Sequence, residues 1–258
     1  MTRGHRPLAF FGLTALLAGP FLMLGALTPE AEVVGGLPLS ALQVFAPFLA
    51  AVILVSRQHG RGGLRGFVGA AIDVRRIRRR RDLLPLLLIM PAIYVVSYAL
   101  LVLDGRNLPA WEVSASSLVA LLALFLVSGF LEEVGWTGYA LDPLRDRLGY
   151  VGAALVIGVA CALFHVGADL QAGRDWDWIF WQRLAGIALR VLIVVAYYST
   201  GQAVTAAVLV HAMDNVSWVA FPDGGSHYDP AITAPVALAV AGLVLLVSTK
   251  WVSRRERR

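Results

Sequence analysis

Runs of about twenty apolar residues recur along this 258-residue chain, near 8–28, 38–56, 83–103, 114–141, 150–168, 184–200, 202–221 and 232–252. Nothing else in the sequence restricts the fold as severely. Twenty residues of helix, rising 1.5 Å each, span the roughly 30 Å hydrocarbon core of a bilayer. Inside lipid every backbone N–H and C=O must find a partner within the protein, which leaves helices and closed barrels. The alternating pattern of a barrel strand is absent. The expected fold is therefore all-α: a polytopic membrane helix bundle of about eight transmembrane helices. Composition agrees, with 15% charged residues, against about a quarter in a soluble domain, and a mean hydropathy of +0.71. Pro20, Pro47, Pro85, Pro91 and Pro235 fall in or near the runs, where neighbours can satisfy the freed carbonyls. The first run follows Arg3, His5 and Arg6; it is long for a signal core and lacks a small-x-small site, so it reads as a retained helix.

The placement of charge gives an orientation. Basic residues gather before the first run (Arg3, Arg6), between the second and third (Arg57, Arg61, Arg65 and the 75–81 block) and after the last (Lys250, Arg254, Arg255, Arg257, Arg258). The alternate connections carry Glu30 and Glu32, then Asp104, Arg106 and Glu112, then Asp223 and Asp229. The positive-inside rule then puts both termini in the cytoplasm, which eight spans satisfy. The fifth connection, from Asp169 to Arg183, holds both signs and does not vote. The pI near 9.8 thus reflects topology, and no nucleic acid partner is expected. The partner implied is the lipid bilayer, in a multi-pass protein whose Arg/Ala/Gly-rich composition suits a bacterial plasma membrane. The block at 75–81 reads as a topology determinant that could also meet anionic head groups. One cysteine, Cys161, precludes an internal disulfide. Residues 1–258 read as a single membrane domain, with N-terminal helices 1–3 in 1–113 and a basic cytoplasmic loop at 57–82. No feature points to an oligomeric state.

A bilayer excludes ionisable side chains unless they are used or paired. Those inside the runs are Glu132 and Glu133 in the fourth, His165 in the fifth, Arg190 in the sixth, and His211, Asp214 and Asn215 in the seventh. His5, His59 and His227 fall outside and are expected on the surface. The fourth helix is expected to end at Asp142-Pro143, since proline disfavours helix at the residue before it. That places the two glutamates about 14 Å from the cytoplasmic end. His211 lies at a similar depth in the seventh helix, with Asn215 one turn on along the same face, and His165 lies somewhat deeper. Each has a plain structural use alone, as a neutralised pair, a core histidine or a helix-joining amide. Their agreement in depth points to a common site.

A glutamate beside a histidine can hold and deprotonate a water. A second histidine and an amide can donate to the oxyanion formed when that water attacks an amide carbonyl. There is no G-x-S-x-G elbow and no H-E-x-x-H, yet two histidines and a carboxylate could hold zinc with an open water position. The residues leave metal-free and zinc-assisted hydrolysis both open. A proton pathway would call for broken helices at the midplane and repeated halves, neither of which is visible.

The stretches "EEVGWTGYALDPLRDRLG" (132–149), "CALFHVGAD" (161–169) and "YYSTGQAVTAAVLVHAMDN" (197–215) together resemble the CPBP family of intramembrane proteases. That family covers CAAX-processing and bacteriocin-processing proteins and includes the type II CAAX prenyl endopeptidases. The resemblance covers about 115–219, which would be the protease core. It implies that Glu132 and His165 position and activate water, that Glu133 assists, and that His211 and Asn215 stabilise the oxyanion; Glu132, His165 and His211 would be the ligands if a metal is used. The substrate would be a peptide or a membrane protein. One departure stands out: the family's first motif usually has an arginine where this chain has Thr137. Arg190, otherwise unexplained inside the sixth helix, is the candidate to supply the missing cation. The alternative is a non-catalytic member acting as a membrane scaffold or immunity factor.

Overall fold

A computed structural model describes residues 5–33, 37–77, 81 and 83–255. The basic residues Arg3, Arg78, Arg79, Arg80, Arg257 and Arg258 lie outside this set. Among these residues eight α-helices follow one another: α1 Pro7–Leu27, α2 Phe45–Ala71, α3 Leu83–Leu103, α4 Ala115–Glu133, α5 Asp142–Gln171, α6 Trp176–Ser199, α7 Val204–Val219 and α8 Pro230–Arg255. A two-residue antiparallel pair, Glu32–Val33 with Leu37–Pro38, and a 3-10 turn at Leu39–Val44 join α1 to α2. Leu8, Leu16, Leu103, Leu163 and Leu243 are more than three-fifths exposed. Such apolar flanks would aggregate in water but suit lipid. The protein is an integral, multi-pass membrane protein.

Among the described residues six helical stretches are long and apolar enough to cross a membrane, while α7 is a shorter apolar helix. One of the six, Ala115–Gln171, is 57 residues long and would measure about 85 Å if straight. It is not straight. An eight-residue π-helical segment, Val134–Leu141, separates α4 from α5, and Gly149, with φ 72° and ψ 177°, breaks α5 near its start. Glycine alone enters that region without strain.

Three boundaries differ from the sequence expectation. The fourth helix does not stop at Asp142-Pro143: helix runs through, and the break falls at Gly149. The wider π turn leaves room for the proline ring that an α turn would meet in a clash. Asp142 is also held by the Tyr198 hydroxyl at 2.8 Å. Second, the basic segment 57–82 is helical as far as Ala71, with an abrupt turn at Gly60 (φ 65°). Third, the fifth connection shrinks to a few residues, because Asp169 lies within α5 and α6 begins at Trp176. Asp175 caps α6, its carboxylate accepting from the Trp178 amide at 2.8 Å.

Helix α6 is the most thoroughly enclosed span, with Ala188, Val191, Leu192, Ile193 and Val194 all buried. It packs between α5 and α8 and also touches α7, while α4 lies along α7. Close approach is set by glycine at two places. A Cβ on Gly129 would lie 3.7 Å from the His211 Cβ, so α4 and α7 nearly touch one turn before the glutamates. A Cβ on Gly135 would fall 2.6 Å from the Pro47 carbonyl oxygen, so only glycine fits the π segment against α2.

Candidate active site

Glu132 and Glu133 are the last two residues of α4, at the entry to the π segment. Both are buried, at 5% and 0% exposure. They face different partners. Glu133 Oε1 lies 2.8 Å from His211 Nδ1 and accepts from Arg190 Nη2 at 3.0 Å. Its Oε2 accepts from Arg190 Nη1 at 2.7 Å and from the Thr137 hydroxyl at 2.5 Å. A carboxylate has about four acceptor positions, and all four of Glu133's are taken.

Arg190 is 4% exposed, so it does not snorkel to an interface; its planar fork closes on both oxygens of Glu133. Thr137, where the related motif has arginine, sits one turn after Glu133 and shares its Oε2, 3.4 Å from Arg190 Nη1. The cation comes from α6, and the short threonine leaves the space it enters. The pattern pointed to Arg190 only because a charge inside helix 6 was otherwise unaccounted for.

Glu132 is less engaged. Its Oε2 is 3.5 Å from His165 Nε2 and its Oε1 is 3.8 Å from His211 Nε2. These gaps are long for direct hydrogen bonds and of the order a bridging water closes. His165 is the most open member, its side chain 33% exposed. The His211 ring thus spans the two acids, one nitrogen on each side. Bonding Nδ1 to Glu133 makes that nitrogen the donor and fixes the ring.

Asn215 lies one turn beyond His211 on α7, half-buried, and its amide makes no hydrogen bond among the described residues. Asp214 faces away from the cluster and accepts from the Tyr94 hydroxyl at 3.2 Å. Cys161, one turn before His165, accepts a long hydrogen bond from Arg190 Nη2 at 3.5 Å. His5 corrects the expectation of a surface residue: it is 8% exposed. Its ring stacks on that of Tyr139 in the π segment, centroids 4.1 Å apart, with Nδ1 3.0 Å from the Tyr139 carbonyl. Burial holds its imidazole below the ordinary histidine range. Periodicity carries no sign of this contact, because it arises where the N-terminus folds under a distant segment.

Glu132, His165 and His211 have the donor chemistry that zinc takes. Among the described residues, however, no three His, Cys, Asp or Glu side chains are gathered so as to hold an ion. The two imidazoles address different oxygens of one carboxylate.

Fold and site together define a polytopic helical membrane protein built round a buried acid–imidazole cluster braced by arginine. Residues 114–217 match the family model described as type II CAAX prenyl endopeptidase Rce1-like. A curated relative, CAAX prenyl protease 2 of Methanococcus maripaludis, is 27% identical over 128 residues, covering 47% of this chain and 46% of that protein. The aligned stretch thus spans about half of each protein. Over this segment the chain is similar to the type II CAAX prenyl endopeptidases.

Proposed function

We propose that the protein is an intramembrane endopeptidase that hydrolyses a peptide bond with water activated by Glu132 and His165. The observation that carries this is the contrast at the acid pair. Glu133 has no free lone pair, whereas Glu132 keeps both oxygens 3.5 Å or more from their imidazole neighbours. Water held between Glu132 and His165 attacks the carbonyl carbon and gives its proton to Glu132. The oxyanion so formed is stabilised by the Asn215 amide, which is free to donate, and by His211 as the imidazolium, which donates from Nε2 while Nδ1 stays on Glu133. Collapse expels the amine, which takes the proton from Glu132. Glu133, Arg190 and Thr137 touch no reacting atom in this scheme; they hold His211. The substrate is a peptide or membrane-protein segment reaching the site from the cytoplasmic side.

The test is cleavage of a peptide library by the purified protein in detergent, comparing wild type with Glu132→Ala, with and without chelator. The library includes both prenylated C-terminal peptides and unmodified ones, given the name of the curated relative. Cleavage that Glu132→Ala abolishes is the expected result. Loss of wild-type cleavage on chelation would replace the metal-free scheme with a metal-assisted one. A folded wild type that cuts nothing in the library favours the non-catalytic scaffold.

A further inference from the structure

His165 is the least anchored member of the site. Its imidazole has one hydrogen-bonding or ion-pairing partner among the described residues, Glu132 at 3.5 Å, and it is the most exposed of the group. Something other than its own contacts must hold it at that distance.

Helices α5 and α6 run antiparallel, and α6 carries two arginines seven residues apart, Arg183 and Arg190. Such spacing is two turns, so both lie on one face. Each reaches α5. Arg190 Nη2 donates to Cys161 Sγ at 3.5 Å, and Arg183 Nε pairs with Asp169 Oδ2 at 3.0 Å, with Nη2 3.4 Å from Oδ1. Cys161 and Asp169 are the residues four before and four after His165, on the same face of α5. The histidine therefore sits midway between two ties to one neighbouring helix.

The two ties differ in strength. The Cys161 contact is a weak sulfur hydrogen bond, but close packing backs it: a Cβ on Gly158 would lie 3.4 Å from the Ile187 Cα and from the Arg190 Cβ. That end of the crossing is fixed by backbone approach. Beyond His165 the Asp169–Arg183 pair is the polar tie from α5 to α6 among the described residues, both side chains mostly buried at 14% and 17% exposure, while Gln171 Nε2 donates to the Leu22 carbonyl of α1 at 2.9 Å. Without it the last two turns of α5 would keep their hold on α1 but lose their polar tie to α6, leaving His165, seven residues or about 10 Å from Gly158, free to shift relative to Glu132.

We infer that Asp169 and Arg183 form a positioning clamp for the reaction: the pair fixes the C-terminal end of α5 against α6 and so sets the His165-to-Glu132 gap in which water is held. This rests on the hydrolase reading given above. The clamp touches no reacting atom, so it is expected to act on turnover more than on substrate binding.

The test measures kcat, KM and Tm for Asp169→Asn, Arg183→Gln and the charge-swapped Asp169→Arg/Arg183→Asp protein, on whichever library peptide the wild type cleaves best. A displacement of about 1 Å can cost on the order of 100-fold in rate. The single variants should lose about 10- to 100-fold in kcat with KM within about twofold and a lowered Tm, and the swap should recover most of both losses. Full activity of Asp169→Asn, or a parallel fall of kcat and Tm that the swap does not recover, overturns the clamp. Hydrogen–deuterium exchange of the stretch 160–171 gives a readout independent of cleavage. Faster exchange in Asp169→Asn, restored by the swap, is expected even if the wild type proves to cut nothing. Unchanged exchange in that variant sinks the clamp and leaves the hydrolase reading standing.

Discussion

Glu132 and Glu133 are neighbours in sequence, share one helix end and are equally hidden from solvent, yet they occupy opposite chemical situations. Around Glu133 every donor is matched: a guanidinium fork, a hydroxyl and an imidazole fill the carboxylate. Around Glu132 nothing approaches closer than 3.5 Å among its ion-pair partners. The difference teaches that a pair of buried acids is not one unit. The first region is built to stay fixed, and a buried charge pair of this kind is tolerated only when complete. The second leaves its oxygens 3.5 Å or more from their imidazole neighbours, the gap that the hydrolase reading fills with water.

The sharpest way to break this comparison is to remove the open carboxylate. Glu132→Gln should lower cleavage by about 10²- to 10⁴-fold, the range for a lost general base, with Tm close to wild type because no hydrogen bond depends on it. A large Tm loss in that variant would mean that Glu132 is structural too. The saturated region should answer in the reverse sense. Arg190→Ala leaves Glu133 buried without its cation and should destabilise the protein by about 3–5 kcal/mol, seen as a lower melting temperature in detergent. Arg190→Met combined with Glu133→Gln should be markedly less harmful than Arg190→Ala alone. If the double variant is the worse of the two, the pairing is not what Arg190 contributes. A smaller effect is expected from Thr137→Val, which removes one hydrogen bond to a charged acceptor, worth about 1.5–3 kcal/mol. It should leave KM unchanged.

The smallest effect concerns the histidine beneath the π segment. His5 is held below its ordinary pKa by burial, so on acidification the unfolded chain takes up a proton near pH 6.5 before the folded chain does. Stability should therefore fall as pH drops below about 6.5 and be unaffected above it. His5→Phe keeps a ring against Tyr139 but cannot titrate, so its Tm should fall less than wild type between pH 7.5 and 5.5. Equal slopes would remove His5 from the account.

Much of the fold could be read from the chain. The apolar runs locate α1, α3, α7 and α8 to within a few residues, α2, α5 and α6 extend well beyond theirs, and the conclusion of a helical membrane bundle stands. The errors share a cause. Pro143 reads as a stop only if the preceding turn is α-helical, and the π segment is not. The basic stretch after Arg57 reads as loop because exposed arginines hide the buried Phe67 and Ala71 on the other side of that helix. His5 reads as surface because nothing local signals a stack against Tyr139.

At the site, depth counting brought Glu132, Glu133 and His211 to one level with His165 somewhat deeper, and the structure sets His211 beside both glutamates and His165 beside Glu132. Depth could not say which glutamate each partner would choose. Residue types, their burial and their level along each helix are properties of the chain, since the bilayer fixes where an apolar run must lie. Which carboxylate is filled and which is open depends on side-chain direction where four helices meet. A π turn, a threonine in place of a longer side chain and an arginine 57 residues away decide that, and only packing in three dimensions brings them together.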